Sequence, residues 1–165
     1  MPPYSDVVPD LRPLRDTDVA DVLALNHANV VKLAEMDEAR LHELVGLADR
    51  FDVVDVDGTF AGFVVTFAAG TVYDSENYRW FSQRHADFYY LDRIVLSDRH
   101  RRQGLGSFVY DDMERVARPH GRLCLEVNVV PRNEPSLAFH GARGYVEVGR
   151  LGDDGHRVAL MEKQL

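Results

Sequence analysis

The chain predicts a mixed α/β fold: a central sheet that is mainly antiparallel, contains one parallel strand pair and carries helices on both faces. Two observations predict it. A strand, helix, strand passage from Phe88 to Val129 implies a parallel pair joined by a right-handed crossover. Apolar runs on either side of Asp57-Gly58, and two more at the end of the chain, imply hairpins at the ends of the sheet. A length of 165 residues suits a single domain with its own core.

After a proline-rich lead-in, Leu11 to Arg15 reads as a short first strand. Asp16-Thr17-Asp18 offers helix caps ahead of Val19, Val22, Leu23 and Leu25 at helical spacing. Met36 to Leu47 reads as an amphipathic helix, with Leu41, Leu44, Val45 and Ala48 on one side and Glu38, Arg40, His42 and Glu43 on the other. Phe51 to Val56 and Phe60 to Phe67 form the first hairpin. Residues 70–85 are aromatic and polar without clear periodicity, and too long for a hairpin turn. Two readings stand for this insertion: a binding loop or lid, or a loop that packs aromatics over a core edge. The pattern resumes with a strand (Phe88 to Leu96), a helix (Gly104 to Ala117), a strand (Leu123 to Val129), a helix (Glu134 to Ala142) and two last strands (Tyr145 to Leu151, Arg157 to Glu162).

Composition narrows the function classes. The net charge of -8, from 27 acidic and 19 basic side chains, argues against nucleic-acid binding and favours small cationic partners. No apolar run approaches the roughly 20 residues of a membrane span, and Met1 to Asp6 lacks a signal-peptide pattern, so a cytoplasmic, membrane-free protein is expected. The lone Cys124, among Leu123, Leu125 and Val127, reads as a buried strand residue in a reducing compartment. The histidines show no metal-ligand spacing, and no metal is expected.

Arg101-Arg102-Gln103-Gly104-Leu105-Gly106 lies where a strand gives way to a helix. Two glycines allow a tight turn, the first helical amides point outward unpaired, and Arg99, Arg101 and Arg102 add positive charge; together they suit a phosphate. The spacing is neither that of a dinucleotide fold, since Val109 stands where a third glycine belongs, nor that of a nucleotide-triphosphate loop.

Arg101-x-x-Gly104-x-Gly106, followed by Asn133-x-x-Ser136-x-x-Phe139-His140-x-x-x-Gly144-Tyr145, resembles the GNAT superfamily of acetyl-CoA-dependent N-acetyltransferases. The resemblance implies a GNAT-like fold and acetyl transfer from acetyl-CoA to a primary amine of a small molecule or peptide, by direct attack in a ternary complex. It implies that Arg101, Arg102, Gln103, Gly104, Leu105, Gly106 and Ser107 hold the pyrophosphate, that Ile94, Val95 and Leu96 bind the pantetheine arm through main chain, and that Asn133 contacts the same arm. Asn133 is equally suited to cap a helix. A homodimer is also expected by resemblance. The alternatives are a transferase of another acyl group and a non-catalytic acyl-CoA-binding module.

Acetyl transfer needs a neutral amine, a polarised thioester carbonyl and a proton for the departing thiolate. Many family members supply that proton from a tyrosine, and here His140 stands in its place. His140 is therefore a candidate donor or relay, with a structural role as the other reading. Strand alternation puts Glu126 and Asn128 on one face of their strand, and Asp92 with Tyr90, Ile94 and Leu96 on one face of the neighbouring strand. Asp92 and Glu126 are read either as ion-paired, with Arg93 as one candidate partner, or as the base or the recognition group for a cationic acceptor. Tyr73, Tyr78, Trp80 and His85, with Asn128, are candidates for the acceptor wall, since cations stack on aromatic faces.

Overall fold

The computed structural model describes residues 8–165; the lead-in up to residue 7 lies outside them. Its strands are β1 (Pro9–Pro13), β2 (Arg50–Val56), β3 (Thr59–Ala68), β4 (Tyr89–Leu96), β5 (Arg122–Val130), β6 (Val146–Gly152) and β7 (Arg157–Gln164). The helices are α1 (Val19–His27), α2 (Glu38–Leu47), α3 (Glu76–Ser82), α4 (Leu105–Ala117) and α5 (Glu134–Ala142). The strands form one sheet in the order β1-β2-β3-β4-β5-β7-β6, in which β4 and β5 are the parallel pair. The mixed sheet with flanking helices is the fold the sequence predicts.

Most elements lie where local chemistry puts them. Asp57 and Gly58 both take positive φ, at 52° and 81°, the conformation that a two-residue hairpin needs. Asn133 caps α5, its Oδ1 accepting from the Ser136 amide at 3.3 Å, and Pro135 fits the first turn, where no amide partner is required.

Three expectations are corrected. β1 is Pro9–Pro13 rather than Leu11 to Arg15, because Arg15 becomes the extended residue that opens a short 3-10 turn at Asp16–Asp18. α2 starts at Glu38 rather than Met36, because the Asp37 carboxylate accepts from the Arg40 amide and fixes the start; Val45, assigned to the apolar side, is 41% exposed. The insertion is not all loop: Ser75 caps α3, whose Tyr78 and Phe81 are buried one helical turn apart.

The described residues divide into two compact units, residues 8–65 with 93–112 and residues 66–92 with 113–165. In the first, Phe51 and Phe63 stack at 5.8 Å, and Val22, Leu41 and Leu44 are fully buried. The second is centred on aromatics: Phe67 stacks on Tyr73 at 4.0 Å, and Tyr78 meets Phe88 and Tyr90 at 5.3 and 5.4 Å. Rings of this size dominate core burial, and edge-to-face pairs add about 0.5–1.5 kcal/mol each beyond area.

Candidate active site

In the first unit, β4 ends in a short 3-10 turn at Asp98–His100, capped by Ser97, and α4 begins at Leu105. Between them Arg102 and Gly104 adopt left-handed φ of 61° and 72°. Those values turn the chain sharply, so that the first α4 bond is Phe108 N–H to the Gly104 carbonyl at 3.0 Å. The amides of Leu105, Gly106 and Ser107 therefore precede any helical acceptor and carry the positive end of the helix dipole. Arg101, Arg102, Gln103 and Ser107 are exposed around them, while Leu105 is buried as the anchor. Arg101 pairs with Asp98 at 2.8 Å, both side chains largely in solvent. Loop backbone, helix start and exposed guanidinium groups fit a pyrophosphate.

Just upstream, Val95 is buried, and Ile94 and Leu96 are half-buried. Ser97 N–H donates to the Ala61 carbonyl at 2.8 Å, and a Cβ on Gly62 would lie 2.2 Å from the Val95 carbonyl oxygen. Glycine is what allows β3 to approach β4 this closely. Arg93 takes the opposite face of β4 from Asp92 and donates to Asn26 Oδ1 at 3.0 Å and the Ala34 carbonyl at 3.3 Å.

In the second unit, β4 and β5 are in register at Tyr89–Leu123 and Tyr90–Cys124, where their pairing ends. Immediately beyond stand the two carboxylates of the sequence reading. Asp92 Oδ1 accepts from the Tyr73 hydroxyl at 2.6 Å, and Glu126 Oε2 accepts from the Tyr90 hydroxyl at 2.5 Å. Both carboxylates are half-buried, while both tyrosines are buried. Burial first, then the charges of Glu126 and Asp92, push the Tyr90 hydroxyl well above its ordinary pKa, so Tyr90 stays a donor. Two phenols thus hold two carboxylates on one face, an arrangement suited to receiving a cation or a proton.

The remaining candidates take varied places. Tyr78 donates to the Ala68 carbonyl at 2.6 Å and accepts from the Thr71 amide. Trp80 carries Arg84 over its ring at 3.6 Å, and its edge would meet a Cβ on Gly149 at 2.5 Å, so it packs on β6. His85 pairs with Glu162 at 2.9 Å, beside Arg122. Asn128 is buried, and its carbonyl accepts from the Asn133 amide at 3.0 Å, which turns the chain from β5 into α5.

His140, 5% exposed, closes α5. Its Nδ1 lies 2.7 Å from the Ser136 carbonyl, which can only accept, so Nδ1 carries the proton and Nε2 is the acceptor nitrogen of the neutral ring. Burial, with a contribution from Arg143, holds its pKa below the ordinary value, although the bond to Ser136 opposes this. Neutral His140 consequently has its one N–H committed to the backbone. The sequence pattern contains the histidine but not this tautomer, which depends on how α5 turns.

One residue carried no signal. Glu114, in α4, is buried and gathers Arg143, Tyr145 and Lys163. Cys124 is buried, and burial first, then Glu162, raises its thiol far above the ordinary range. Among the described residues no cluster could hold a metal ion, and no helix is long and apolar enough to cross a membrane.

The model of the acetyltransferase (GNAT) family matches residues 19–145. Phosphinothricin N-acetyltransferase of Streptomyces viridochromogenes is 26% identical over 157 residues, covering 90% of this chain and 80% of the relative. Among solved structures, Ard1 from Thermoplasma volcanium superposes with a TM-score of 0.73 at 19% identity, over 95% of this chain and 97% of that one. Arabidopsis thaliana NAA60, solved with a bisubstrate analogue, superposes with a TM-score of 0.72 at 14% identity, over 95% and 98% of the two chains.

Proposed function

Because the chain belongs to the GNAT acetyltransferase family, we propose that this acyltransferase moves an acetyl group from acetyl-CoA to a primary amine of a small molecule or peptide, by direct attack within a ternary complex. Asp92 and Glu126 carry this assignment, because two half-buried carboxylates, each steadied by a tyrosine hydroxyl, suit an alkylammonium that must be bound and then deprotonated. An alkylammonium has a pKa near 10, so attack at neutral pH needs a group or a water that takes its proton.

The amides of Leu105, Gly106 and Ser107, with Arg101 and Arg102, hold the pyrophosphate of the donor. Main-chain groups of Ile94, Val95 and Leu96 bind the pantetheine arm, and an amide near Val95 or Leu96 polarises the thioester carbonyl. The Asn133 side chain spends its oxygen on the helix cap and keeps its Nδ2 protons for the arm. Acetyl-CoA supplies the activated acyl group. Asp92 or Glu126 accepts the proton that leaves the ammonium.

His140 is better suited to staying a neutral ring, which can accept a hydrogen bond at Nε2, than to supplying a proton. Its single neutral N–H faces Ser136, and the imidazolium that could protonate a thiolate is disfavoured by burial. In this role His140 acts as a neutral ring at Nε2, and the thiolate draws its proton from the solvent side. Activity then falls as His140 becomes protonated, the reverse of what a histidine acid requires.

Thiol release from acetyl-CoA in the presence of an amine library tests the assignment. Turnover on any cationic amine supports it and names the acceptor; coenzyme A binding without turnover across the library refutes the enzyme reading.

A further inference from the structure

We infer that Glu114 is a positioning residue for His140, acting through Arg143 and Tyr145. All four residues belong to one compact unit. The Glu114 carboxylate accepts from Arg143 Nε and Nη2 at 3.2 and 3.1 Å, from the Tyr145 hydroxyl at 3.0 Å and from Lys163 Nζ at 3.1 Å. Both oxygens are thereby engaged, by a two-pronged guanidinium, a phenol and an ammonium, and Glu114 is 8% exposed.

The groups it gathers are those that shape the surroundings of His140. Arg143 and Tyr145 each donate a backbone N–H to the His140 carbonyl, at 3.1 and 3.0 Å. The Tyr145 ring stands edge-on to the imidazole, with centroids 5.4 Å apart and planes at 83°. Lys163 Nζ lies 5.8 Å from the Tyr145 ring. Pinning the Tyr145 hydroxyl fixes that ring, and the Tyr145 and Phe139 rings both stand edge-on to the imidazole whose Nδ1 meets Ser136. Glu114 also sets the local charge. One carboxylate answers two cations, Arg143 and Lys163, and the hydrogen bonds from Arg143, Lys163 and Tyr145 overcome its burial and keep it ionised.

The Arg143 charge works against protonation of His140; by Coulomb's law Lys163, held on the same carboxylate, should act the same way and the Glu114 charge the opposite way. Glu114→Gln keeps the shape and most of the hydrogen bonds while removing the charge, so the His140 midpoint should fall by about 0.5 pH unit, roughly threefold in proton affinity. Arg143→Met should raise it by a similar amount, and the double variant should return close to the parent.

The midpoint is read by NMR titration of the His140 ring signal in the full chain, assigned by its loss in His140→Gln. Opposite-signed shifts support the inference; no shift, or shifts of one sign, overturn it. Should Glu114→Gln fail to fold, Lys163→Met and Arg143→Met must both raise the midpoint, and failure of either overturns the inference equally. The link to the reaction rests on the proposed role of His140, so the acid limb of the kcat profile is measured in the same variants. A limb that follows the NMR midpoints supports a role in transfer. A limb that stays fixed while the midpoints move refutes the catalytic reading of His140, and with it that of Glu114, but leaves their coupling intact.

Discussion

Gly62→Ala places a methyl group where β3 and β4 have no room for one. The added Cβ would sit 2.2 Å from the Val95 carbonyl oxygen and 3.0 Å from both the Leu96 Cα and the Leu96 Cδ2. Two of these three contacts are backbone, so no rotamer change relieves them. β4 must shift by about an ångström, loosening the neighbouring bond from Ser97 N–H to the Ala61 carbonyl. Overpacking of this kind costs about 1–3 kcal/mol, and a rigid backbone contact belongs at the upper end. For a chain of 165 residues, about 2–3 kcal/mol lowers the melting temperature by roughly 5–10 °C. The same shift moves Val95 and Leu96, the main chain assigned to the pantetheine arm, so coenzyme A affinity should fall by at least about tenfold.

Gly46→Ala is the matched control. Gly46 lies in α2 with nothing within 4 Å of the added methyl, and the substitution should stabilise by up to about 1 kcal/mol. Thermal unfolding with and without coenzyme A reads both effects. If Gly62→Ala matches the parent in melting temperature and in coenzyme A affinity, the close approach of β3 to β4 has no part in forming the donor site.

Four further outcomes are expected. Arg101→Glu breaks only an exposed pair with Asp98, so stability should move by less than about 0.5 kcal/mol while the thermal shift produced by coenzyme A disappears. Asp92→Asn and Glu126→Gln should keep that thermal shift, and at least one should lose about 100-fold or more in kcat/KM for the amine; if neither does, both carboxylates leave the mechanism. Cys124 should resist thiol reagents in the folded protein and react on unfolding, and Cys124→Ala should leave turnover unchanged. Because the folded pKa of His140 lies below its unfolded value near 6.5, the unfolded chain binds the extra proton: the contribution to stability is complete above pH 6.5 and is lost as the pH falls through the folded value. Melting temperature scanned from pH 7.5 to 5 should therefore decline less steeply in His140→Gln.

Elements marked by local chemistry were legible in the sequence. Asn133 and Pro135 define the start of α5, and Asp57-Gly58 defines the hairpin, because a cap or a positive φ is decided by one or two residues. α3 was missed although its cap, Ser75, is of the ordinary kind. A helix of seven residues gives too few turns for an apolar period to show, and its aromatics, Tyr78 and Phe81, read as loop composition. Composition nominates Trp80 for an acceptor wall, while its packing edge-on to Gly149, 69 residues later, is set by tertiary contacts that composition does not contain.

The candidate site divides along the same line. Its proposed donor part is a matter of backbone: left-handed φ at Arg102 and Gly104, then three helical amides, all within a stretch that sequence can spell out. The acceptor part is made of side chains. Asp92 meets Tyr73 across 19 residues and Glu126 meets Tyr90 across 36, so alternation puts each carboxylate on the right face without saying what it will touch. Glu114 lies further along this scale, since its partners are 29, 31 and 49 residues away and nothing near it in sequence distinguishes it from a solvated acid on an amphipathic helix. Side chains of the proposed acceptor part can therefore change without disturbing the loop backbone proposed to hold the donor, and for that reason the acceptor has to be sought by varying the amine rather than the acyl donor.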